Sequence, residues 1–367
     1  MKVLYIGNYR DASGWGSAAE ANMLAMKSVG IDVVARPISF GTQKEISETI
    51  QQMEEGSCQG SDFCIQHCLP KYYYYNAKIK NIGFYCTESF DFHYSKWHKY
   101  INMLDASWVM SDQNKEASIR SGVSNPISVI PYSLDPKKYS TTTKTASISE
   151  LEHSFNFCFV GEWNNRKDLI SLLRAFYTEF HPSEPINLFI KLSSNMSSDK
   201  CMEEFNKLND FVKAGLKIRK KYQNISTVCG HLKHHDYVSI LNQCHSFVCP
   251  SHGEACCIPA VEAQALGLNL IYTNDTGTAT YAQDYSIGVL SSLDDCFNMQ
   301  SALPEIQSSA DCWQNINVQY LRIAMRSTYE NRQNIIDNKE KISNSTKQKF
   351  SYSSIGNIIK EVLNGLS

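Results

Sequence analysis

The stretch GEACCIPAVEAQALG (253–267) separates two short apolar runs, SFVC (246–249) and NLIYT (269–273). Pro259 suits the first turn of a helix, and Gly267 suits the position just beyond a helix end. The predicted order is therefore strand, loop, short helix and strand, which is a βαβ unit. Such units build parallel sheets with helices on their faces, so this stretch predicts an α/β protein.

Two carboxylates make this unit a candidate binding site. Glu254 falls on the predicted loop and Glu262 on the predicted helix, with seven residues between them. Ligands of open α/β sheets bind beyond the carboxyl ends of the strands, and the loop that carries Glu254 leaves such an end. A carboxylate there can accept two hydroxyl hydrogen bonds, as from a ribose diol, and each is worth about 1.5–3 kcal/mol. The alternative is a solvated loop followed by the polar face of a helix.

The same alternation of strand and helix runs through the chain twice. The first half opens with KVLYIG, a small-residue helix closed by Gly30, and a second strand. The pattern restarts after a polar, linker-like stretch at 140–150. The other strand candidates are 62–66, 81–86, 106–110, 127–130, 155–163, 187–192 and 225–229, with a helix at 168–180. We therefore expect one domain over 1–145, a second over 150–350, and a closing helix over 351–367.

Composition excludes several classes of protein. The chain has 367 residues, 43% hydrophobic and 20% charged, as in ordinary globular proteins. A net charge of −2 gives no excess of positive charge for binding nucleic acid, so we expect no nucleic-acid partner. The sequence contains no run of about 18 apolar residues, so we expect no membrane span. The 13 cysteines sit in apolar runs and no signal peptide precedes them, which predicts free thiols and a cytoplasmic location.

The residues 248–277, VCPSHGEACCIPAVEAQALGLNLIYTNDTG, resemble the donor-site signature of the retaining GT-B glycosyltransferases of family 4. The spacing of Glu254 and Glu262 fits that signature. The family usually has Gly-Phe-Gly-Leu where this chain has Ala-Cys-Cys-Ile at 255–258. By this resemblance Glu262 holds the ribose of a nucleotide sugar and Glu254 faces the transferred sugar.

A second part of the resemblance is VGEWNNRKDLISLLRAF (160–176). Lys167 occupies the place of the family's phosphate-binding lysine, and Arg166 precedes it. The family's arginine after the glycine is replaced by Glu162, so phosphate stabilisation should depend on Lys167 and Arg166. The alternative is a solvated helix start, although two cations there oppose the helix dipole.

The first half carries weaker signals. Gly14 and Gly16 resemble the family's first glycine loop, in which backbone amides approach phosphate or sugar. Glu88 stands near the place where many relatives have a histidine, and could contact sugar or acceptor. His67 is a candidate for the acceptor cleft or a packed structural histidine. KYYYYN (71–76) suits an acceptor-binding surface, a homodimer contact or packing aromatics equally.

The resemblance covers nearly the whole chain and implies a GT-B fold of two Rossmann-like parallel-sheet domains facing across a cleft, with the closing helix returning to the first. The implied catalytic residues are Glu254, Lys167, Arg166 and Glu88. The implied donor-binding residues are Glu262, Gly14, Gly16, Gly161, Gly230, His231, Ala255, Cys256, Cys257 and Ile258. No metal site is expected, since the spacing of Cys58, Cys64, His67 and Cys68 matches no common zinc pattern.

The implied reaction moves a hexose from a nucleotide sugar, of GDP-mannose or UDP-glucose type, to a hydroxyl with retention and without a metal. A glycan, a glycoprotein or another hydroxyl compound is the expected acceptor. The compact chain resembles glycosyltransferases of phages and large DNA viruses, which would place it in the host cytosol. The alternatives are a sugar-nucleotide 2-epimerase of the same architecture and a non-catalytic sugar-nucleotide-binding subunit.

Overall fold

The computed structural model describes residues 1–142, 144–297 and 308–366. The chain divides into two compact units. Of the described residues, unit 1 comprises 1–135, 308–311 and 347–366, and unit 2 comprises 136–142, 144–297 and 312–346. Unit 2 is therefore inserted in sequence between the two main segments of unit 1.

Unit 1 contains a six-stranded parallel sheet in the order β2-β1-β3-β4-β5-β6. Its strands are β1 (Lys2–Gly7), β2 (Asp32–Pro37), β3 (Phe63–His67), β4 (Lys80–Phe84), β5 (Ala106–Val109) and β6 (Ile127–Val129). Among them run the helices α1 (Gly14–Ser28), α2 (Glu48–Glu55), α3 (His98–Ile101) and α4 (Asp112–Arg120).

Unit 2 contains a second six-stranded parallel sheet, in the order β12-β11-β10-β7-β8-β9. Its strands are β7 (Phe155–Glu162), β8 (Ile186–Ser193), β9 (Ile225–Cys229), β10 (Ser246–Cys249), β11 (Asn269–Thr273) and β12 (Ile287–Val289). An antiparallel pair, β13 (Ser291–Asp295) and β14 (Cys312–Ile316), follows. The helices are α5 (Leu169–Glu179), α6 (Ser198–Leu216), α7 (His234–Leu241), α8 (Ile258–Ala265), α9 (Val318–Glu330), α10 (Arg332–Asp337) and α11 (Lys339–Lys349).

The core of unit 2 forms where the apolar face of α5 packs on the sheet. Leu169, Leu172 and Phe176 follow a helical spacing and are buried against β7 and β8, as the sequence pattern predicted. Side chains of α9 complete the same cluster. The strands of the sheet are apolar on both faces, which is the pattern of parallel sheets covered by helices.

The last helix, α12 (Tyr352–Leu366), belongs to unit 1 and packs along α1. Ile355, Ile359 and Leu363 recur every four residues and are buried. A Cβ atom on Gly356 would collide with the carbonyl oxygen of Ala25, so the two helices approach too closely for any larger residue at that position.

The predicted α/β class with two parallel sheets is confirmed. The predicted strands and the helix at 168–180 are present, with α5 beginning at Leu169 because Asp168 caps it. The three strands β12, β13 and β14 were not predicted. Two of them, β12 and β13, are short or largely exposed, so no apolar run marks them. No helix within the described residues is both long and apolar enough to cross a membrane.

Candidate active site

The strand order of unit 2 creates a crevice between β7 and β10. From β7 the chain runs outward through β8 and β9, and it then returns to the other side of β7 to form β10, β11 and β12. The loops that leave the carboxyl ends of β7 and β10 therefore diverge. Such a reversal of strand order is where open α/β sheets bind ligands.

The loop after β7 brings two cations to this crevice. It makes a short 3₁₀ turn over Asn165–Lys167, and Asp168 then caps α5 by accepting a hydrogen bond from Ser171 N at 3.1 Å. Arg166 and Lys167 are buried, with 7% and 8% of their surface exposed. Lys167 lies over Gly161, where an added Cβ atom would stand 3.5 Å from Lys167 Cδ and only 2.7 Å from Phe159 Cζ. Glycine at 161 therefore leaves room for the Phe159 ring, while the lysine stem lies at ordinary contact distance.

The loop after β10 brings Glu254 to both cations. Lys167 Nζ donates to Glu254 Oε1 at 2.5 Å, and Arg166 Nη1 lies 3.1 Å from Glu254 Oε2. Arg166 also donates to the carbonyl of Gly253 at 2.6 Å, and His252 N donates to the carbonyl of Arg166 at 2.8 Å. The two loops are therefore joined by backbone as well as by side chains.

The electrostatics of this cluster fix the charges of its members. Burial would raise the pKa of Glu254, but Lys167 and Arg166 outweigh it and bring that pKa to about 2. Burial would lower the pKa of Lys167, yet the Glu254 carboxylate leaves it raised. All three groups are consequently ionised at neutral pH, with two positive charges against one negative charge.

Glu262 lies on α8, eight residues after Glu254, and meets two tyrosines. Tyr139 donates to Glu262 Oε1 at 2.6 Å, and Tyr237 donates to Glu262 Oε2 at 2.8 Å. Burial raises the pKa of Glu262 although both hydrogen bonds act against the rise. Lys191, at the carboxyl end of β8, lies close enough for each charge to affect the pKa of the other group. The carboxylate is thus held in one orientation by groups from three other parts of unit 2.

The residues between the two glutamates depart from the family's glycines but keep part of their geometry. Cys257 has φ of 60°, a left-handed conformation that glycine adopts far more readily. Cys257 occupies the position of the second glycine in the family's Gly-Phe-Gly-Leu. Ala255 is half-buried and Cys256 is buried, and Ile258 begins α8. The Glu254 carbonyl accepts a hydrogen bond from Gly277 N at 2.8 Å, which ties this loop to the one after β11.

Two predicted residues of unit 2, Gly230 and His231, lie apart from the cluster, and so does Glu162, which replaces the family's arginine. Gly230 and His231 follow β9, an edge strand two positions away from β7. Gly230 has φ of 97°, and its place against Ser198 Oγ leaves no room for a Cβ atom. His231 is exposed. Glu162 is exposed as well and accepts a hydrogen bond from Asn164 at 3.1 Å, so its carboxylate does not join Glu254.

Unit 1 has its own reversal of strand order, between β1 and β3. Gly14 and Gly16 lie on the turn and helix start that follow β1. Gly16 is buried, donates to Ser13 Oγ at 3.1 Å, and has no space for a Cβ atom beside the Asp11 carbonyl oxygen. Gly14 is exposed and faces open space. The glycine loop therefore needs Gly16 for packing, whereas Gly14 leaves the backbone accessible.

His67 ends β3 at this reversal and is fully buried. Its Nδ1 lies 2.6 Å from the Tyr5 hydroxyl, and its ring stacks on Phe84 at 4.2 Å between centroids. Burial lowers the pKa of His67 to about 3, so the ring is neutral. The packed ring suits a structural histidine, but Nε2 has no hydrogen-bond partner among the described residues, so both interpretations of His67 stay predictions.

Glu88 is half-buried on the loop after β4. The loop is anchored by Asn114, which donates to the carbonyl of Thr87 at 2.8 Å. Burial raises the pKa of Cys86, and the charge of Glu88 adds to the rise. In the KYYYYN stretch Tyr73 is buried, whereas Tyr72, Tyr74 and Tyr75 are exposed. The roles predicted for Glu88 and for this stretch stay predictions.

Sequence reasoning missed the groups that orient the two glutamates. Tyr139 lies just after a Pro-Lys-Lys turn, at the end of the motif-like stretch PYSLDPKKY (131–139), which gave no sign of its contact with Glu262. Tyr237 lies on a histidine-rich helix start and is not distinctive in sequence. Lys191 did leave a signal, because it is a lone cation near the end of the apolar run NLFIKL. Gly277 was matched only as a motif residue. Its packing under the Glu254 and Ala255 carbonyls gives the physical reason for glycine there.

One group of potential metal ligands adjoins the cluster: Cys249, Glu254 and Cys257 offer ligand atoms within 4.8 Å of one another. Glu254 already faces Lys167 and Arg166, so a divalent cation there would meet two positive charges at close range. The donor set is therefore poorly suited to a metal ion.

Comparison with known proteins agrees with this geometry. Residues 216–296 match the family model described as glycosyl transferases group 1. A search of curated proteins gives no sequence match. Among solved structures, Anabaena HepE in complex with UDP-glucose is similar over 100% of both chains, with a TM-score of 0.64 and 13% identity.

Two further solved structures resemble the chain over nearly their whole length. Sucrose-phosphate synthase from Thermosynechococcus elongatus has a TM-score of 0.64 and 13% identity, over 100% of this chain and 99% of the other. Trehalose-6-phosphate synthase, from work on enzymatic glycosyltransfer with retention, has a TM-score of 0.66 and 10% identity over the same shares. The fold is the predicted GT-B fold, and together with the family match over residues 216–296 it supports a glycosyltransferase.

Proposed function

We propose that this chain transfers a hexose, with retention of anomeric configuration, from a nucleotide sugar of the UDP-glucose type to a hydroxyl acceptor. The observation that carries the proposal is the buried cluster of Glu254, Lys167 and Arg166 at the reversal of strand order in unit 2. The resemblance to structures that contain UDP-glucose favours that donor over GDP-mannose.

The net positive charge of the cluster suits a diphosphate leaving group. Lys167 and Arg166 would neutralise the charge that develops on the phosphate as the bond to the sugar breaks, which is electrostatic stabilisation of a transition state. Both cations are already fixed by Glu254, so they need little reorganisation when the donor arrives. The first amides of α8, which begin beside this loop, add further donors for an anion.

Glu254 and Glu262 have different tasks in this proposal. With a pKa of about 2, Glu254 cannot donate a proton at neutral pH, so it acts as a hydrogen-bond acceptor for sugar hydroxyls and as the anchor of the two cations. Glu262 accepts hydrogen bonds from the ribose diol. Each of its oxygens has one lone pair left beside the bond from Tyr139 or Tyr237.

No side chain described above is placed to act as a base for the acceptor hydroxyl. The departing phosphate therefore takes the hydroxyl proton while the acceptor oxygen attacks the sugar from the face that the phosphate leaves. The donor would bind the domain predicted over 150–350, and the domain predicted over 1–145 would bind the acceptor. A glycan or glycoprotein acceptor, a homodimeric state and a cytoplasmic location, in a host cell if the chain is viral, complete the proposal.

Titration calorimetry tests the donor. UDP-glucose should bind, with or without magnesium, and GDP-mannose should bind more weakly. Lys167→Met should abolish turnover, whereas Lys207→Met, which changes an exposed lysine on α6, should leave it unchanged. Nuclear magnetic resonance of the product would give the anomeric configuration. Absence of binding to any nucleotide sugar, or full activity of Lys167→Met, would overturn the proposal.

A further inference from the structure

Two cysteines stand at the ends of the loop that carries Glu254. Cys249 is the last residue of β10, and Cys257 is the residue that precedes α8. Their sulfur atoms lie 3.5 Å apart, and both thiols are free. A disulfide has an S–S distance of about 2.05 Å, so bond formation requires the sulfurs to approach by about 1.5 Å.

The surroundings of Cys249 favour its thiolate. The hydrogen bond between Cys249 and Cys257 lowers the pKa of Cys249 against the effects of burial and of the Glu254 carboxylate, and the Lys167 ammonium adds to the lowering. Ser251 Oγ lies 3.6 Å and Thr278 Oγ1 lies 3.8 Å from the sulfur, so the site is polar although buried. The thiolate is the form of cysteine that peroxides oxidise.

Other buried thiols of the chain are in a different state. Burial raises the pKa of Cys64 and of Cys68 to about 12. Cys229 is hydrogen-bonded to Cys201, and burial together with that neighbour raises its pKa to about 12. These thiols are protonated and inert by comparison. A second sulfur and a lysine ammonium also lie near Cys229 and near the Cys158 and Cys244 pair. The Cys249 and Cys257 pair differs because its sulfurs, 3.5 Å apart, stand at the two ends of the Glu254 loop and because the pKa of Cys249 is lowered, not raised.

We propose that Cys249 and Cys257 form a disulfide when a peroxide reaches the site, and that this bond weakens donor binding reversibly. The Cys249 thiolate attacks one oxygen of hydrogen peroxide, the O–O bond breaks, and a sulfenic acid and hydroxide form. Cys257 then attacks the sulfenic sulfur, the S–O bond breaks, and water leaves with the thiol proton. In sum, two thiols and one peroxide give one disulfide and two waters; the sulfurs are oxidised and the peroxide oxygens are reduced.

The bond would act on the site because the loop between the two cysteines contains Glu254. The loop is tied at Gly277 and at the two cations, so drawing Cys257 towards β10 must shift either those contacts or the start of α8. A misplacement of about 1 Å at a positioned group can cost about 100-fold in function. This consequence rests on the proposed donor site, whereas formation of the disulfide does not.

The first measurement maps the thiols directly. The native protein is treated with hydrogen peroxide, denatured, alkylated and digested, and its peptides are weighed. We expect a cross-linked peptide pair joining Cys249 and Cys257, lighter by two hydrogens than the reduced pair, while Cys229 is alkylated. Alkylation of Cys249 and Cys257 at a peroxide concentration that oxidises other cysteines would overturn the proposal.

The second measurement follows UDP-glucose binding by calorimetry before peroxide, after it, and after dithiothreitol. The affinity of the unmodified protein and of Cys229→Ala should fall about 10–100-fold with peroxide and recover with dithiothreitol. The affinity of Cys249→Ala for UDP-glucose should be the same before peroxide, after peroxide and after dithiothreitol. An equal loss in Cys249→Ala would assign the effect to other residues. If no form binds UDP-glucose, the proposed donor fails, and the peptide map still decides whether the disulfide forms.

Discussion

Replacing Glu254 by glutamine should destabilise unit 2 by about 3–5 kcal/mol. The pKa of Glu254 falls from its ordinary 4.5 to about 2. Each factor of ten in proton affinity corresponds to about 1.4 kcal/mol, so the ionised carboxylate gains about 3 kcal/mol from the folded structure. Glutamine has the same shape but leaves Lys167 and Arg166 buried without a counter-charge, and breaking a buried pair in this way costs about 3–5 kcal/mol.

Urea unfolding measures this loss, and hydrogen exchange of peptides from β10 and α8 assigns it to unit 2, since two units need not unfold together. Glu203→Gln is the matched control. It also removes a carboxylate from a lysine, with Glu203 Oε1 2.7 Å from Lys207 Nζ, but both side chains are largely exposed. The control should therefore leave stability unchanged.

A double-mutant cycle with Lys167→Met separates the pair from the effects of each substitution alone. The two changes should be strongly non-additive, because removal of the lysine also removes part of the unpaired charge that Glu254→Gln creates. A loss in Glu254→Gln no larger than that of the exposed control, or additive effects in the cycle, would refute the assignment of Glu254 as the counter-charge of this cluster.

Three further outcomes follow from the same contacts. Glu262→Gln should weaken nucleotide-sugar binding in calorimetry by about 1.5–3 kcal/mol, because the amide nitrogen cannot accept a ribose hydroxyl as the carboxylate oxygen does. The contribution of Glu254 is present above its ordinary pKa of 4.5 and should be lost as the pH falls towards about 2, so thermal unfolding measured between pH 5 and pH 2.5 should show a steeper decline in the parent than in Glu254→Gln. Gly277→Ala should cost about 1–3 kcal/mol in urea unfolding, since its Cβ atom would collide with the carbonyl oxygens of Glu254 and Ala255, whereas Gly14→Ala, in open space, should cost far less.

Much of the site could be predicted because its residues lie in short motifs whose spacing has a local meaning. Pro259 and Gly267 bound a helix in any context, and so they place Glu262 on α8 and Glu254 before it. The glycine at the end of β7 and the helix after it likewise place Lys167 at the carboxyl end of a strand. These are consequences of neighbouring residues, which sequence displays directly.

The pairing of Glu254 with Lys167 is of another kind, because 87 residues separate the two groups. The two groups meet only because β10 lies beside β7 in the sheet. An apolar run in the sequence predicts a strand but does not indicate which strands it pairs with. The hydrogen bonds from Tyr139 and Tyr237 to Glu262 could not be predicted for the same reason. The replacement of the family's glycines at 255–258 likewise gave no sign that Cys257 keeps a left-handed backbone, since cysteine gives no sequence signal for it.

The close contact of α12 with α1 bears on how the chain is made. The buried face of α1 is covered by residues 352–366, so unit 1 cannot complete its core while the ribosome is still adding unit 2. At about 5–20 residues per second, α1 waits roughly 20–70 s after its own synthesis for its partner helix. Unit 2 has most of its sheet continuous in sequence and can close first. The long insertion adds little to the entropy of closing unit 1, because that cost grows only with the logarithm of length. It does expose an alanine-rich helix during translation, and any delay before residue 352 lengthens that exposure.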